Sequence, residues 1–471
     1  MKICITDFGP ISNFTLDVST KLTAIYGNNN IGKSYALQIV YLVIKNLKQI
    51  YHRYGDPDFI DDEFDFYLTM LDSDAKKTID ASVQNELSGL IKSEVERLLS
   101  RRFLVPLLRS FETTFKSYRK SVRNTTSIKL CMDDVVMVID IFAPRMSLSY
   151  TRKVVYAKNS DYFSKRSTAT RDTLYYSSNK MEQLYNGIEQ LISQDIRLIL
   201  KQLVGMTNAV YFLPASRSGI YTGLSAFSGI VAELAKSKSV LYKKLELPGL
   251  SEAISDYFIT LTDIASRGYP SIETGDDKVS SYSNAIENYI LQGDVVFDKK
   301  SSNLLYHPFG KDITLSMDEV SSMVSELAPI VAYLRMIRFN YLRNLSRPQY
   351  LKKYTYVFIE EPEAHLHPTN QIKLMDLFAQ FASMNIILFM TSHSNYVFNK
   401  FNNLILDGKL SRDTYEPILM KHVAEGSIGE VIEVDELGAL DTNFMEPTEA
   451  LFNEREEIIE KKFTTDTDQI K

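Results

Sequence analysis

Short, almost wholly apolar runs that alternate with helical patterns are the main feature of the hydrophobic pattern of this chain. Three such runs occupy residues 22–26, 356–359 and 386–390. Apolar runs of this length, rich in β-branched and aromatic residues, are typical of strands buried on both faces of a parallel sheet. Helical patterns follow two of them, over residues 35–47 and 370–383. The pattern therefore predicts an α/β fold in which buried strands alternate with helices.

A glycine-containing loop lies between the first apolar run and the first helical pattern. It matches the pattern G-x-x-x-x-G-K-[ST] and consists of Gly27, Asn28, Asn29, Asn30, Ile31, Gly32, Lys33 and Ser34. Glycines let such a loop curl until its N–H groups point at phosphate oxygens. Lys33 supplies a charge for the β- and γ-phosphates, and Ser34 offers a hydroxyl to magnesium. Because a helix follows directly, the phosphates would lie at a helix N-terminus, and the loop predicts binding of ATP with Mg²⁺.

Two carboxylates and a histidine follow the other two apolar runs. Glu360 and Glu361 come after the run at 356–359, and His393 follows the run at 386–390. Ligands bind at the carboxyl ends of the strands in open α/β sheets, so these side chains would meet the phosphates. We expect Glu360 to act on Mg²⁺ and its waters, and Glu361 to be the general base for the attacking water. A histidine at this edge either reaches a γ-phosphate or is satisfied by backbone groups.

The order of the loop, the segment IEEPEAHLHP and the segment TSHS resembles the ABC-type ATPase superfamily that includes RecF, SMC and the OLD-like proteins. The resemblance covers roughly residues 1–50 and 205–440. It implies a two-lobed α/β fold of the ABC P-loop type, with a mixed sheet and a long, largely helical insertion. It also implies that Lys33 contacts the nucleotide, that Glu361 is the catalytic base and that His393 is the switch histidine.

Two motifs depart from the pattern of this superfamily. Aspartate is common at the position of Glu360, although the OLD-like proteins share the double glutamate. The signature motif LSGGQ is replaced by the segment VSSMVSE at residues 320–326. Its Ser321 and Ser322 precede a predicted helix, where they would either contact the γ-phosphate held by another subunit or cap their own helix.

No glutamine occupies the place of the usual Q-loop residue. The segment YFLPASRSG at residues 211–219 resembles the strand and turn that OLD-like ATPases place beside the nucleotide. Arg217 lies in this turn, and we expect it to contact the nucleotide in place of the missing glutamine.

The spacing of the motifs divides the chain into five parts, because the two halves of the site lie much further apart than a minimal nucleotide-binding domain needs. Residues 1–50 are predicted to form the ATPase lobe with the phosphate loop, and residues 51–205 an insertion made of a helical arm plus strands. Residues 206–310 return to the ATPase lobe through connecting helices and a hairpin. Residues 311–450 carry the signature, the paired glutamates and the switch histidine, and residues 451–471 form a charged tail.

A stretch rich in cations, residues 101–123, lies within the insertion. Its cations are Arg101, Arg102, Arg109, Lys116, Arg119, Lys120 and Arg123, and Glu112 is the one acid among them. Several Lys and Arg residues close together supply the sequence-independent attraction to a nucleic-acid backbone. The same pattern suits a contact with an acidic protein surface or a solvated helix face, and the sequence does not choose among the three.

Composition narrows the class of protein without changing this interpretation. The chain of 471 residues has a formal net charge of −6, which argues against a surface that is basic throughout. Cys4 and Cys131 are the only cysteines, so no disulfide framework is predicted and a reducing compartment is the default. The N-terminal segment does not match a signal peptide, and no apolar segment approaches the roughly 18 residues of a membrane span. We therefore expect a cytoplasmic protein without membrane contact.

Together these features favour an ATPase that assembles as a homodimer or higher homo-oligomer with ATP sandwiched between subunits. The resemblance is strongest to the ATPase subunits of two-component antiphage systems of the Septu or PARIS kind. It implies a separate nuclease that the ATPase senses or gates, and no nuclease activity in this chain. The alternative is a RecF-like, ATP-dependent DNA-binding clamp in DNA repair, with residues 101–123 as the DNA contact.

Overall fold

The computed structural model describes most of the chain. The described residues are 1–53, 81–151, 156–159, 169–170, 173–176, 181–223, 250–267, 278–298, 303–345, 353–381, 384–440 and 449–459. Within the predicted charged tail, residues up to 459 continue an exposed helical segment that starts at residue 449. Residues 460–471 of that tail lie outside the described residues.

A mixed sheet of eleven strands lies at the centre of the described structure. In spatial order its strands are β10 (Thr207–Leu213), β14 (Tyr354–Glu360), β15 (Ile386–Thr391), β3 (Leu22–Tyr26), β16 (Tyr415–Val423), β17 (Gly426–Val431), β2 (Ile11–Asp17), β1 (Lys2–Phe8), β4 (Ser127–Met132), β5 (Val135–Asp140) and β6 (Arg145–Tyr150). The first five strands are parallel to one another. Except for the parallel pair of β17 and β2, the remaining neighbours are antiparallel. The mixed α/β fold predicted from the sequence is confirmed.

The parallel half contains the three strands that the apolar runs predicted. All residues of β3 and β15 are buried, as are all but the first of β14. Glu360 is opposite Thr391, and Thr391 is opposite Ile25. The carboxyl ends of these three strands are therefore level, which brings the residues that follow each of them to one edge of the sheet.

Helices cover both faces of the sheet. They are α1 (Lys33–Arg53), α2 (Ala81–Leu99), α3 (Val105–Thr114), α4 (Tyr118–Ser121), α5 (Met181–Val204), α6 (Glu252–Arg267), α7 (Lys278–Ile286), α8 (Ser322–Leu345), α9 (Pro368–Phe381) and α10 (Asn395–Leu406). Single turns of other helix types lie at Ser100–Leu104, Glu287–Leu291 and Arg412–Thr414. None of the helices in the described part of the chain is long and apolar enough to cross a membrane.

Two hydrophobic cores lie on opposite faces of the sheet. One includes α1, α2, α3 and α5, and the other includes most of α6 to α10. Neighbouring residues of β14 separate the two cores, since Val357 packs in the second and Phe358 in the first. This alternation follows from the pleat of a strand, which points successive side chains to opposite faces. Both cores therefore pack on the strand that ends in the paired glutamates.

The predicted insertion contributes three strands to the central sheet. β4 pairs with the edge of β1, and β5 and β6 continue the sheet from there. Three small sheets in the described part of the chain are separate from it. They consist of β7 (Tyr156–Asn159), β8 (Ala169–Thr170) and β9 (Thr173–Tyr176), of β11 (Gly293–Asp298), β12 (Asn303–Pro308) and β13 (Leu315–Ser316), and of β18 (Val434–Asp435) and β19 (Gly438–Ala439).

Candidate functional site

The loop between β3 and α1 has the backbone of a phosphate cradle. Gly27 and Gly32 have φ angles of 137° and 99°, which side chains rarely tolerate, and Asn30 is also left-handed with a φ of 61°. A Cβ atom on Gly27 would lie 2.6 Å from the carbonyl oxygen of Met420 on β16. The first glycine is therefore required both by its conformation and by the close approach of the neighbouring strand.

Lys33 folds back over this loop. Its Nζ donates hydrogen bonds of 2.8 Å and 2.7 Å to the carbonyl oxygens of Gly27 and Asn28, and it lies 3.2 Å from Nδ1 of His393. The side chain is buried, and this burial lowers the pKa of the ammonium from 10.5 to about 8, against the attraction of Glu361 and Glu363. The ammonium thus lies at the start of the loop, beside the histidine.

The lowered pKa of Lys33 predicts that nucleotide affinity falls in alkaline solution. The free protein carries the cation below about pH 8 and loses it as the pH rises through that value. A bound triphosphate stabilises the charged form, so each pH unit above about 8 should raise the Kd by up to about ten-fold. The measurement is a titration with a fluorescent ATP analogue at saturating Mg²⁺, from about pH 7 to about pH 9.5.

Lys33→Arg is the matched control for this prediction, because a guanidinium stays charged over the whole range. The Kd of Lys33→Arg should be flat across the same pH values, whatever its absolute magnitude. An equal alkaline rise in Kd for both proteins would assign the effect to another group.

Glu360 is buried among three hydrogen-bond donors, two on α1 and one in the turn after β10. Its Oε1 accepts a 2.8 Å bond from Nε2 of Gln38, and its Oε2 accepts a 3.1 Å bond from the backbone N–H of Ala215. The Ser34 hydroxyl also bonds to this carboxyl, whose pKa is raised by burial. A buried carboxyl next to a serine hydroxyl forms a set of oxygen donors of the kind that Mg²⁺ prefers. The residues present therefore fit Mg²⁺ held by Ser34 and Glu360 together with phosphate oxygens.

A continuous row of three side chains, called the catalytic row below, consists of Glu361, His393 and Lys33. Oε1 of Glu361 lies 3.2 Å from Nε2 of His393, whose Nδ1 faces the Lys33 ammonium. Because the ammonium only donates, Nδ1 accepts, and the Nε2–H is then the donor to Glu361. This hydrogen bond is the main cause that lowers the pKa of Glu361 and keeps the carboxylate ionised. About a third of the Glu361 side chain is exposed, so a water molecule can reach it.

Glu363 stabilises the backbone at Ser392 and His393. Its Oε1 accepts bonds of 2.6 Å from the Ser392 hydroxyl and 2.9 Å from the N–H of His393. Burial raises the pKa of this carboxyl, and its Oε2 has no hydrogen-bond partner among the described residues. The sequence pattern did not assign Glu363 to the site, although it lies two residues after Glu361 in a turn. Gln38 was also missed, and its signal is a polar residue one helical turn after Ser34 in an apolar helix.

The guanidinium of Arg217, which the sequence pattern placed against the nucleotide, is wholly buried and bonded to the protein itself. The Nη1 donates to the carbonyl oxygens of Pro214 and Glu360 at 3.1 Å and 2.8 Å, and Nη2 donates to the carbonyl oxygen of Glu361 at 3.3 Å. The Nε donates to the carbonyl oxygen of Glu326 at 3.1 Å and forms an ion pair with its carboxylate. Arg217 therefore holds the backbone that carries both glutamates and links it to α8.

The structure does not bring Ser321 and Ser322 together with the catalytic row of the same chain. Both are exposed at the N-terminus of α8, four or five residues before Glu326. The cations of residues 101–123 also lie outside it. Arg119 is exposed and pairs with Glu112, and Arg123 lies 3.5 Å from Asp7 at the end of β1.

The cradle, the buried cation at its start and the ionised carboxylate beside a histidine define a P-loop protein that binds and hydrolyses ATP. The family model described as an AAA ATPase domain matches residues 1–398. This match spans most of the chain, and the chain belongs to that family.

Comparison with curated proteins finds no match, whereas solved structures include similar chains. An Smc head bound to the C-winged helix domain of ScpA is 12% identical, with a TM-score of 0.39, over 92% of this chain and 98% of that chain. The SMC head domain from Thermotoga maritima is 9% identical, with a TM-score of 0.37, over 92% and 98% of the two chains. An Smc head domain with an extended coiled coil, bound to the C-terminal domain of ScpA derived from Pyrococcus furiosus, is 12% identical, with a TM-score of 0.37, over 96% and 98%.

Proposed function

We propose that two copies of this ATPase pair with ATP between them, and that this pairing controls a separate nuclease in antiphage defence. The observation that supports pairing is the state of Ser321 and Ser322. Both are exposed, and neither hydroxyl makes a hydrogen bond within the described part of the chain. They therefore do not cap their own helix. Two unoccupied hydroxyls at the start of a 24-residue helix suit a phosphate presented by another molecule.

The chemistry within each copy supports a timed release of such a pair. Lys33 and the loop hold the phosphates, Ser34 and Glu360 are placed for Mg²⁺, and Glu361 is the ionised group that accepts a proton from water. Mg²⁺ would supply charge neutralisation between the β- and γ-phosphates. Because the γ-phosphate would be shared with the serines of the second copy, its hydrolysis would remove their ligand and weaken the pair. The nuclease partner rests on the resemblance of the motif set alone.

The mass of the protein in solution tests the pairing. Light scattering of Glu361→Gln with ATP and Mg²⁺ should give twice the mass of the same protein without nucleotide, because binding is kept and hydrolysis is blocked. Ser321→Arg combined with Ser322→Arg should prevent this doubling while leaving nucleotide affinity of the single copy unchanged.

Ser411→Arg is the matched control, since Ser411 is another exposed serine just before a helical turn. Combined with Glu361→Gln, this control variant should double in mass with ATP and Mg²⁺, as Glu361→Gln alone does. If the variant with both serines replaced still doubled in mass, the proposed contact between the start of α8 and the ATP of the second copy would be contradicted. A protein that stayed monomeric at saturating ATP would contradict the paired site itself.

A further inference from the structure

An aromatic surface adjoins the phosphate loop at the end away from the catalytic row. Tyr35 directly follows Ser34, and its ring stacks on Phe115 with centroids 4.7 Å apart and an interplanar angle of 28°. Phe115 is buried, and it also packs edge-on against Phe8 at 5.6 Å. Tyr35, by contrast, is 37% exposed. One aromatic residue of this surface thus remains open to solvent beside the cradle.

The position of the Tyr35 ring is fixed from two sides. Phe115 supports one face, and the turn between β1 and β2 meets the ring edge, where a Cβ atom on Gly9 would lie 3.1 Å from Cε1 of Tyr35. The next residue of the same turn, Pro10, approaches Gly32 of the loop, where an added Cβ would lie 3.0 Å from its Cγ. The turn therefore packs on the loop and on the tyrosine at once. A ring held in this way is preorganised before any ligand arrives.

The catalytic row determines which part of a nucleotide meets this ring. The ammonium of Lys33 lies on the carbonyl groups of Gly27 and Asn28, and His393 and Glu361 continue from it. The γ-phosphate must reach this row, so it lies at the start of the loop. The α-phosphate would then lie at the other end, towards the first turn of α1, and the nucleoside would leave the cradle on the side of Tyr35.

We propose that Tyr35, supported by Phe115, is the wall of the site that contacts the nucleobase of bound ATP. The inference rests on nucleotide binding at the loop and adds the residue that recognises the nucleoside. Backbone N–H groups and Lys33 recognise phosphates without regard to the base, so the loop alone does not distinguish ATP from inorganic tripolyphosphate. A rigid aromatic face supplies that distinction, because every base offers a π surface on which it stacks.

Two ligands that differ only in the nucleoside test this assignment. Titration of Tyr35→Ala should show an ATP affinity about ten-fold weaker than that of the parent protein, whereas affinity for inorganic tripolyphosphate with Mg²⁺ should stay within about two-fold. Tyr35→Phe should restore ATP binding, since it keeps the ring and its packing on Phe115. Tyr289→Ala, which removes a tyrosine that is 68% exposed on the turn after α7, should change neither affinity.

Equal losses for ATP and tripolyphosphate in Tyr35→Ala would overturn the proposal, because they would show that the ring only shapes the loop. Unchanged ATP affinity in Tyr35→Ala would overturn it as well. Retained binding of tripolyphosphate also shows that the variant is folded and that the phosphate loop itself works, so failure of the nucleobase contact is distinguishable from failure of nucleotide binding.

Discussion

Glu361→Gln should bind ATP as tightly as the parent protein and hydrolyse it at least about 100-fold more slowly. The amide oxygen of glutamine can still accept the hydrogen bond that Glu361 accepts from Nε2 of His393 at 3.2 Å. The geometry of the row is therefore kept, while the group that takes a proton from water is lost. Phosphate release under single-turnover conditions measures the chemical step, and a fluorescent ATP analogue measures binding.

Glu430→Gln is the matched control for this substitution. Glu430 is a half-exposed carboxylate on β17 that pairs with Lys421 at 2.7 Å. Its hydrolysis rate should equal that of the parent protein. Hydrolysis by Glu361→Gln at the parent rate would remove Glu361 from the role of base. Loss of ATP binding in the same variant would instead show that the carboxylate charge holds the site together.

Glu326→Ala should destabilise the fold by about 3–5 kcal/mol, because it leaves the buried Arg217 guanidinium without its counter-charge. The Glu326 carboxylate accepts a 3.0 Å bond from the N–H of Arg217, and bonds of 3.2 Å and 2.6 Å from the N–H and hydroxyl of Ser218. The chain contains no tryptophan, so chemical denaturation should be followed by circular dichroism rather than by tryptophan fluorescence. This measurement gives the change in the free energy of unfolding.

The double variant Glu326→Ala with Arg217→Ala separates the ion pair from simple loss of packing. If the pair acts as a unit, the double variant should lose much less than the sum of the two single losses. Lys421→Ala removes one partner of a half-exposed pair and should change stability little. Additive losses at Arg217 and Glu326 would contradict the coupling. Hydrolysis should fall in both single variants, because Arg217 holds the carbonyl oxygens of Glu360 and Glu361.

The hydrophobic pattern is sufficient to predict three of the five parallel strands, β3, β14 and β15, and the phosphate-loop sequence between β3 and α1. Continuous apolar runs belong to strands buried on both faces, and β3 has the bounds that its run predicted. β14 begins two residues earlier than its run, at Tyr354. The addition of β4 to β6 to the same sheet was not predicted, because alternating strands indicate a sheet without indicating which edge they join.

In the site too, roles that depend on neighbouring residues can be predicted from the sequence, whereas contacts between distant segments cannot. Roles that depend on the residue type beside a strand end, such as those of Lys33 and Glu361, are readable from the sequence and remain predictions for the experiments above. The burial of Arg217 depends on Glu326, which lies 109 positions away, so no local pattern reveals it. Glu363 and Gln38 are single polar residues whose partners come from other segments, and only the packed chain shows which atoms they meet.

The order of strands in the sheet has a consequence for how this protein is made. β3, which precedes the phosphate loop, lies between β15 and β16, and β2 pairs with β17. A growing chain therefore carries its first strands with open edges until the ribosome has added residues up to about 431. Exposed strand edges attract other chains, so this interval is the time at which aggregation competes with folding. A chain that stops before β16 also lacks the strand that pairs with β3 and packs against Gly27 of the phosphate loop.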